Sequence, residues 1–345
     1  MPIIDPHAAS SADLFAEYEQ FVSTHPHGHM MQSPSWARVK NNWDADYVYL
    51  RGNDGSIAAA MSILSVSNDD GHSSFLYAPR GPVCDLNDLD LIAALVKEAE
   101  PAIERRHGFV LRMDPEVPYS HELEDALRSR SQWRLRTPQN VDAHAFSNPP
   151  MNMVADLSGQ DAQTLLATFR SGVRYKIRKS LKAPVTTRSL HYSDPGFPQA
   201  LDAFYSLTLV MAQRQGITHR PRDYFERLCA AFPTARLYLA EHEDGQALAS
   251  AIVVSYNKKA FYAYAASSNE RRTLLPSYQL NYVAMLDAIE DGMSEYDMGG
   301  VFSTDIEDGL YAFKRQFCSD HGLRTMIGEI DVVRDEAAYQ RFIER

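Results

Sequence analysis

The hydrophobic pattern of this chain runs its course and then begins again, and that restart limits the folds open to it more than any single motif does. The first pass opens with "SADLFAEYEQFVSTHP", which places Leu14, Tyr18 and Phe21 on one helical face with Ser10 or Ser11 as cap. "SPSWARVKNN" starts a second helix with Ser33 as cap and Pro34 in the first turn. Strand-like runs at 47–51, 58–66 and 74–77 are separated by "NDG" and "NDDGH" turns, and a helix over 88–107 leads to a buried strand in "GFVLRMDPE".

The second pass starts at "NPPMNMVADLSG". A strand at 153–157 precedes three helices, "DAQTLLATFRSGVRYKIRKSL", "FPQALDAFYSLTLVMAQRQG" and "RPRDYFERLCAAF". Strands at 235–241, 247–256 and 258–265, a helix over 276–291 and a strand at 296–298 follow. Only the order of elements repeats, not the residues. With 345 residues, too many for one ordinary core, this order predicts two stacked α/β domains with mixed sheets covered by helices.

Bulk properties narrow the function. A 45% hydrophobic and 23% charged composition is that of a soluble globular protein. No run approaches the roughly 18–20 apolar residues of a membrane helix, and the N-terminus lacks a signal pattern, so the expectation is a cytoplasmic protein with no integral membrane segment. Cys84, Cys229 and Cys318 are scattered and read as reduced packing residues. His25, His27 and His29 alternate, but without a neighbouring carboxylate or cysteine they make a poor metal site, and no metal is expected.

The net charge of −11 argues against indiscriminate coating of nucleic acid. Inside this acidic chain, however, residues 162–192 hold Arg170, Arg174, Lys176, Arg178, Lys179, Lys182 and Arg188 with no Asp or Glu. Leu165, Phe169, Val173, Ile177 and Leu181 recur every four residues as a buried stripe, with Arg170, Arg174 and Arg178 beside it. A solvated helix face usually carries acidic partners at i,i+4, and none occur here, so an anionic partner such as a nucleic-acid backbone or a phosphorylated ligand is the favoured reading.

Three other places can carry chemistry. "RQGITHRPRDYF" gathers Arg214, Arg220, Arg222 and Tyr224 at a helix entry suited to phosphate, although Arg222 could pair with Asp223 or Glu226. "LYAPRGPV" holds Tyr77 and Arg80 in a proline-stiffened loop of the kind that often carries binding residues, although a plain structural turn is the simpler reading. "GLYAFKRQF" sets Lys314 and Arg315 among aromatics, either as a solvated helix end or facing an anion. The turn "SSNERRTLLPSYQLNY" lacks the glycines that would cradle a coenzyme A diphosphate, so no cofactor is expected.

Seven motifs in order, "QSPSWARVK", "YAPRGPV", "LRMDPEVPY", "FRSGVRYKIRKSLKAPV", "ITHRPRDYF", "LLPSYQLNYVAMLDAIEDGMSEYDMGGV" and "GLYAFKRQF", resemble the Fem peptidyltransferases over roughly residues 28–330. The resemblance implies two acetyltransferase (GNAT)-like domains in tandem, the first formed by 1–152 with 328–345 and the second by 153–327. No heptads mark a coiled-coil arm, so the chain looks like the compact FemX type. That type transfers an amino acid from aminoacyl-tRNA to the side-chain amine at position three of the stem peptide in UDP-MurNAc-pentapeptide, starting the interpeptide bridge. A lipid-linked acceptor, a non-catalytic binding protein and a coenzyme A-dependent N-acyltransferase remain open, and a monomer is expected.

Carried over by position, the resemblance implies that Lys40 and Arg220 hold the diphosphate of the precursor. Trp36, Tyr77, Arg80, Thr218, Tyr224 and Tyr264 complete its binding set. Phe313 and Lys314 match the pair needed for transfer, and Asp114 stands where an acidic residue is considered as base. Charge, rather than the resemblance, assigns Arg170, Arg174, Lys176, Arg178 and Lys179 to tRNA, and Arg315 to solvent.

Overall fold

A computed structural model describes residues 3–4, 11–68, 71–318 and 321–344. The chain divides into one unit of Met1–Met151 with Thr325–Arg345 and a second of Asn152–Arg324. The turn expected at "NDDGH" falls partly, and Ser10 wholly, outside the described residues.

Among the described residues the first unit holds a seven-stranded mixed sheet in the order Ile3–Ile4, Asp44–Arg51, Ile57–Ser67, Ser74–Ala78, Gly108–Met113, Glu329–Val333, Arg134–Arg136. Its core includes Val48, Met61, Ile63, Leu76 and Leu111 from the strands and Ile92 and Leu95 from the helix Leu89–Glu98. That helix begins where the Asp88 side chain accepts from the Leu91 amide. The single helix expected over 88–107 is two, Leu89–Glu98 and Glu100–Arg105, because Pro101 lacks the amide that would continue the ladder.

The strand Glu329–Val333 was not foreseen. It lies antiparallel to both Gly108–Met113 and Arg134–Arg136 and brings Asp331 to Arg112. The guanidinium donates twice to that carboxylate, both at 2.7 Å, with Glu329 3.2 Å away. Phe75 and Phe342 sit against its face, so the buried charge is both paired and covered.

The second unit also has seven described strands, in the order Leu323–Thr325, Met151–Asp156, Glu295–Val301, Lys259–Ser267, Ala247–Tyr256, Ala235–His242, Val185–Leu190. Its longest described helix, Phe197–Gln215, has 19 residues and ends at Gly216, whose φ of 64° is the left-handed cap glycine favours.

The helix expected from 161 to 181 is broken into Ala162–Thr168 and Ser171–Ser180. Phe169 and Arg170 are extended; the Phe169 carbonyl, lost to the helix ladder, is taken by the Arg174 guanidinium. Leu165, Phe169, Val173 and Ile177 are buried as expected, but Leu181 is 45% exposed, because it lies beyond the last helical turn and points away from the core.

One feature of the second sheet creates a site. Lys259–Ser267 and Glu295–Val301 run parallel and pair only from Lys259↔Glu295 to Phe261↔Asp297. Beyond Phe261 the register against Ala247–Tyr256 also slips, leaving Ala263 as a bulge. The two parallel strands therefore fork at Tyr262. In the first unit the corresponding parallel pair, Ser74–Ala78 with Gly108–Met113, slips once between Ser74 and Phe75 and then stays paired to its end at Ala78↔Met113.

Candidate active site

Lys314 occupies the fork of the second unit. The helix Gly309–Lys314 is started by Asp308, whose carboxylate accepts from the Leu310 and Tyr311 amides, and its last residue turns inward. Lys314 is 9% exposed, and its ammonium donates to the Gly300 carbonyl at 2.7 Å. A methyl added to Gly299 would lie 3.5 Å from Lys314 Nζ and 3.9 Å from the Tyr262 carbonyl, so the ammonium lines one corner of the fork. Gly299 has φ of 81°, a conformation that carries the chain through this corner and disfavours a side chain.

Burial pushes the Lys314 ammonium down to about 8, and the neighbouring Asp297 carboxylate opposes that shift. Asp297 is buried and accepts from the Gly299 amide at 2.7 Å and from Asn152 Nδ2 at 3.1 Å. Asp297 and Lys314 thus brace consecutive glycines from opposite charges. The cationic form still predominates at neutral pH, so the corner offers a desolvated positive charge.

Aromatic side chains wall the approach. Phe313 meets Tyr278 and Phe317 edge-on, with ring centres 5.9 and 5.3 Å away. Lys176 does not join the outward cations of its helix: its ammonium donates to Gln316 Oε1 at 2.7 Å and to the Tyr278 hydroxyl at 3.0 Å. Arg315, expected to face solvent, is half-buried.

Also in the second unit, Tyr224 is buried and shares a hydrogen bond of 2.9 Å with the Tyr264 hydroxyl. The bulge at Ala263 separates Tyr264, which meets Tyr224 and Phe225, from Tyr262, which meets Asn281 and Tyr296. Arg220 is exposed, with its guanidinium over the Tyr224 ring at 5.4 Å, and Thr218 is exposed nearby in sequence. Arg222 is committed to Glu226, one of the two partners raised by the sequence, and to Asp202, while Asp223, the other, pairs with Arg227. At the turn before Pro276–Glu290, Pro276 supplies no amide and the Tyr278 amide is spent on the Leu275 carbonyl, which leaves little to cradle a diphosphate.

In the first unit Asp114 is buried and already accepts from the Tyr77 hydroxyl at 2.8 Å, the Arg80 amide at 2.6 Å and Asn148 Nδ2 at 2.9 Å. Burial raises its carboxyl, while Arg80 and these donors pull it back. Arg80 has φ of 56°, and its amide bond to Asp114 fixes that loop. Trp36 is a buried core residue of its helix; Lys40 caps the same helix half-buried, its ammonium 5.4 Å over Trp43.

The alternating histidines hold turns. His25 Nδ1 accepts from the His27 amide and His29 Nδ1 from the Met31 amide, and among the described residues no group of three metal-ligating side chains forms. Asp297, Asn148 and Gln316 were not singled out from the sequence. Asp297 lies in the quoted "YDMGGV", where the following glycine pair was the available signal.

Comparison with known proteins gives the same picture along the whole chain. The family described as FemAB matches residues 15–243 and 234–342. UDP-N-acetylmuramoylpentapeptide-lysine N(6)-alanyltransferase of Weissella viridescens is 37% identical over 351 residues, covering all of both chains. Lipid II:glycine glycyltransferase of Staphylococcus aureus is 24% identical over 400 residues, covering 94% of this chain and 92% of that one. Among solved structures, that of FemX superposes with a TM-score of 0.83 at 22% identity, over 95% of this chain and 98% of the other. A tandem GNAT protein from the clavulanic acid pathway gives 0.52 at 13%, over 96% and 98%. The fold is therefore mixed α/β with two GNAT-like halves, as the restarting pattern and the motifs implied.

Proposed function

This chain belongs to the FemAB family, and from that premise we propose that it transfers an amino acid from aminoacyl-tRNA to the stem-peptide lysine of UDP-MurNAc-pentapeptide, starting the interpeptide bridge. The observation that carries this reading is the full-length 37% identity to the Weissella viridescens alanyltransferase, whose name specifies that acceptor. No described helix is long and apolar enough to cross a membrane.

The chemistry is aminolysis of an ester. The acceptor ammonium, with an unperturbed pKa of about 10.4, first loses a proton. Its nitrogen attacks the ester carbon, a C–N bond forms, and the carbonyl oxygen takes up negative charge. When the intermediate collapses, the C–O bond to the ribose breaks and the ribose oxygen takes the proton that the attacking nitrogen sheds. Lys314 supports this course as a desolvated cation already fixed by Gly300, able to stabilise the oxyanion without reorganising. Phe313 walls the same approach and excludes water.

Arg220 and Tyr224, with Tyr264 behind them and Thr218 close by, are assigned to the precursor in the second unit, and Lys40 is assigned to it in the first. Tyr77, Arg80 and Asp114 form one hydrogen-bonded loop anchor. With its oxygens filled by donors, Asp114 serves better to hold Arg80 than to accept the amine proton. Trp36 supports Lys40 from the core. Arg170, Arg174, Arg178 and Lys179 are assigned to tRNA, Arg174 partly through shaping its own helix, whereas Lys176 belongs to the aromatic wall.

The test is transfer of labelled amino acid from a mixed pool of charged tRNAs to purified UDP-MurNAc-pentapeptide. Labelled product on the soluble precursor supports the reading, and analysis of the product names the amino acid. Label only on the lipid-linked precursor, the acceptor in the name of the Staphylococcus aureus relative, would keep the reaction and replace the acceptor.

A further inference from the structure

The outward face of the helix Ser171–Ser180 carries more than charge. Arg178 and Lys179 on the helix and Lys182 just beyond it are exposed, and among the described residues none has an ion-pair partner. Tyr175, one turn before Arg178 and Lys179 on the same face, is 66% exposed, the most exposed of the large apolar side chains described. A large ring left in water beside unpaired cations has no packing role to explain it. Its π-face and the surrounding charge together suit a nucleobase flanked by phosphates.

We infer that Tyr175 is a stacking platform for an unpaired nucleotide of the tRNA 3′ end, with Arg178, Lys179 and Lys182 holding the adjacent phosphates. The inference rests on the aminoacyl-tRNA reading above and deepens it from backbone attraction to recognition of single-stranded RNA. Chain direction supports it. Lys176, the next residue and about 100° further round the helix, turns to the wall of Tyr278 and Phe313 beside Lys314. One helix therefore presents an aromatic ring outward and touches the reaction wall inward. The ester-bearing strand must leave the acceptor duplex to enter the fork, so its unpaired bases become available where this helix lies.

The experiment uses the full chain and two RNA hairpins with the same acceptor-stem duplex, one blunt and one with the unpaired 3′ nucleotides, in binding titrations at one fixed salt concentration. Tyr175→Ala should weaken binding of the overhang hairpin about tenfold and leave the blunt one unchanged, while Tyr175→Trp should retain binding. Charge reversal at Arg178 and Lys179 should weaken both hairpins. Unchanged affinity of Tyr175→Ala for the overhang hairpin, or an equal loss on both, would overturn the stacking role alone. Failure of the wild-type protein to bind either hairpin would overturn the tRNA reading beneath it.

Discussion

Lys176 Nζ donates to Gln316 Oε1 at 2.7 Å, tying the helix that carries the exposed cations to the segment immediately after Lys314. The same ammonium lies 5.0 Å over the Tyr278 ring, and the Tyr278 hydroxyl donates to Gln316 at 2.8 Å. Three side chains from three elements thus close a small ring of contacts behind Phe313.

Lys176→Met removes its hydrogen bonds to Gln316 and Tyr278 while keeping most of the side-chain volume. The expected result is a fall in kcat of about tenfold, roughly 1.4 kcal/mol, with KM for the peptide precursor unchanged. Steady-state kinetics with each substrate varied in turn reads this directly. A rise in the KM for tRNA with kcat intact would instead return Lys176 to the RNA-facing set.

The same residue shows where the sequence stops being informative. Periodicity marked residues 162–182 as amphipathic and basic, and the buried positions 165, 169, 173 and 177 followed. Which cation turns inward depends on Gln316 and Tyr278, more than a hundred residues away, and no local pattern carries that. Lys314 was singled out through the motif resemblance, because its local sequence also suits a solvated helix end; its fork was not legible, since it arises from a parallel pairing that ends at Phe261↔Asp297. The strand Glu329–Val333 was missed for a related reason, because its partners Gly108–Met113 and Arg134–Arg136 are some 200 residues earlier.

That late strand should govern stability of the first unit. Arg112 is 3% exposed and pairs with both Asp331 and Glu329. Arg112→Met would leave two buried carboxylates without their shared cation, at a cost of about 3–5 kcal/mol. Denaturant unfolding should show the loss. An unchanged midpoint would mean that Arg136, 2.9 Å from Glu329, suffices for the cluster.

The rate should depend on pH through Lys314. Burial has moved its ammonium down to about 8, so the charge needed at the fork is present below that pH and lost as pH rises through it. The kcat profile is expected to fall on its basic side near pH 8. Lys314→Met should abolish that limb and cost on the order of 100-fold or more in rate at neutral pH, with precursor binding retained. The stability effect has the opposite sense. The folded protein pays to keep this lysine charged below about pH 8, and the penalty is relieved as pH climbs toward the ordinary lysine range.

Asp297→Asn separates two roles of one carboxylate. Asp297 faces Lys314 as a negative charge and also accepts from the Gly299 amide. The asparagine can still accept from Gly299, and Asn152, whose Oδ1 is without a hydrogen-bond partner, can turn to receive the new amide. The other groups acting on Lys314 are Cys318, pushed up to about 12 by burial and hence neutral, and Asp308, occupied at the start of its helix. With Asp297 neutral, the lysine holds its proton less well, and the basic limb of kcat should move about one unit toward acid. A uniform loss of rate with the limb in place would show that Asp297 acts by holding the Gly299–Gly300 corner, not by its charge.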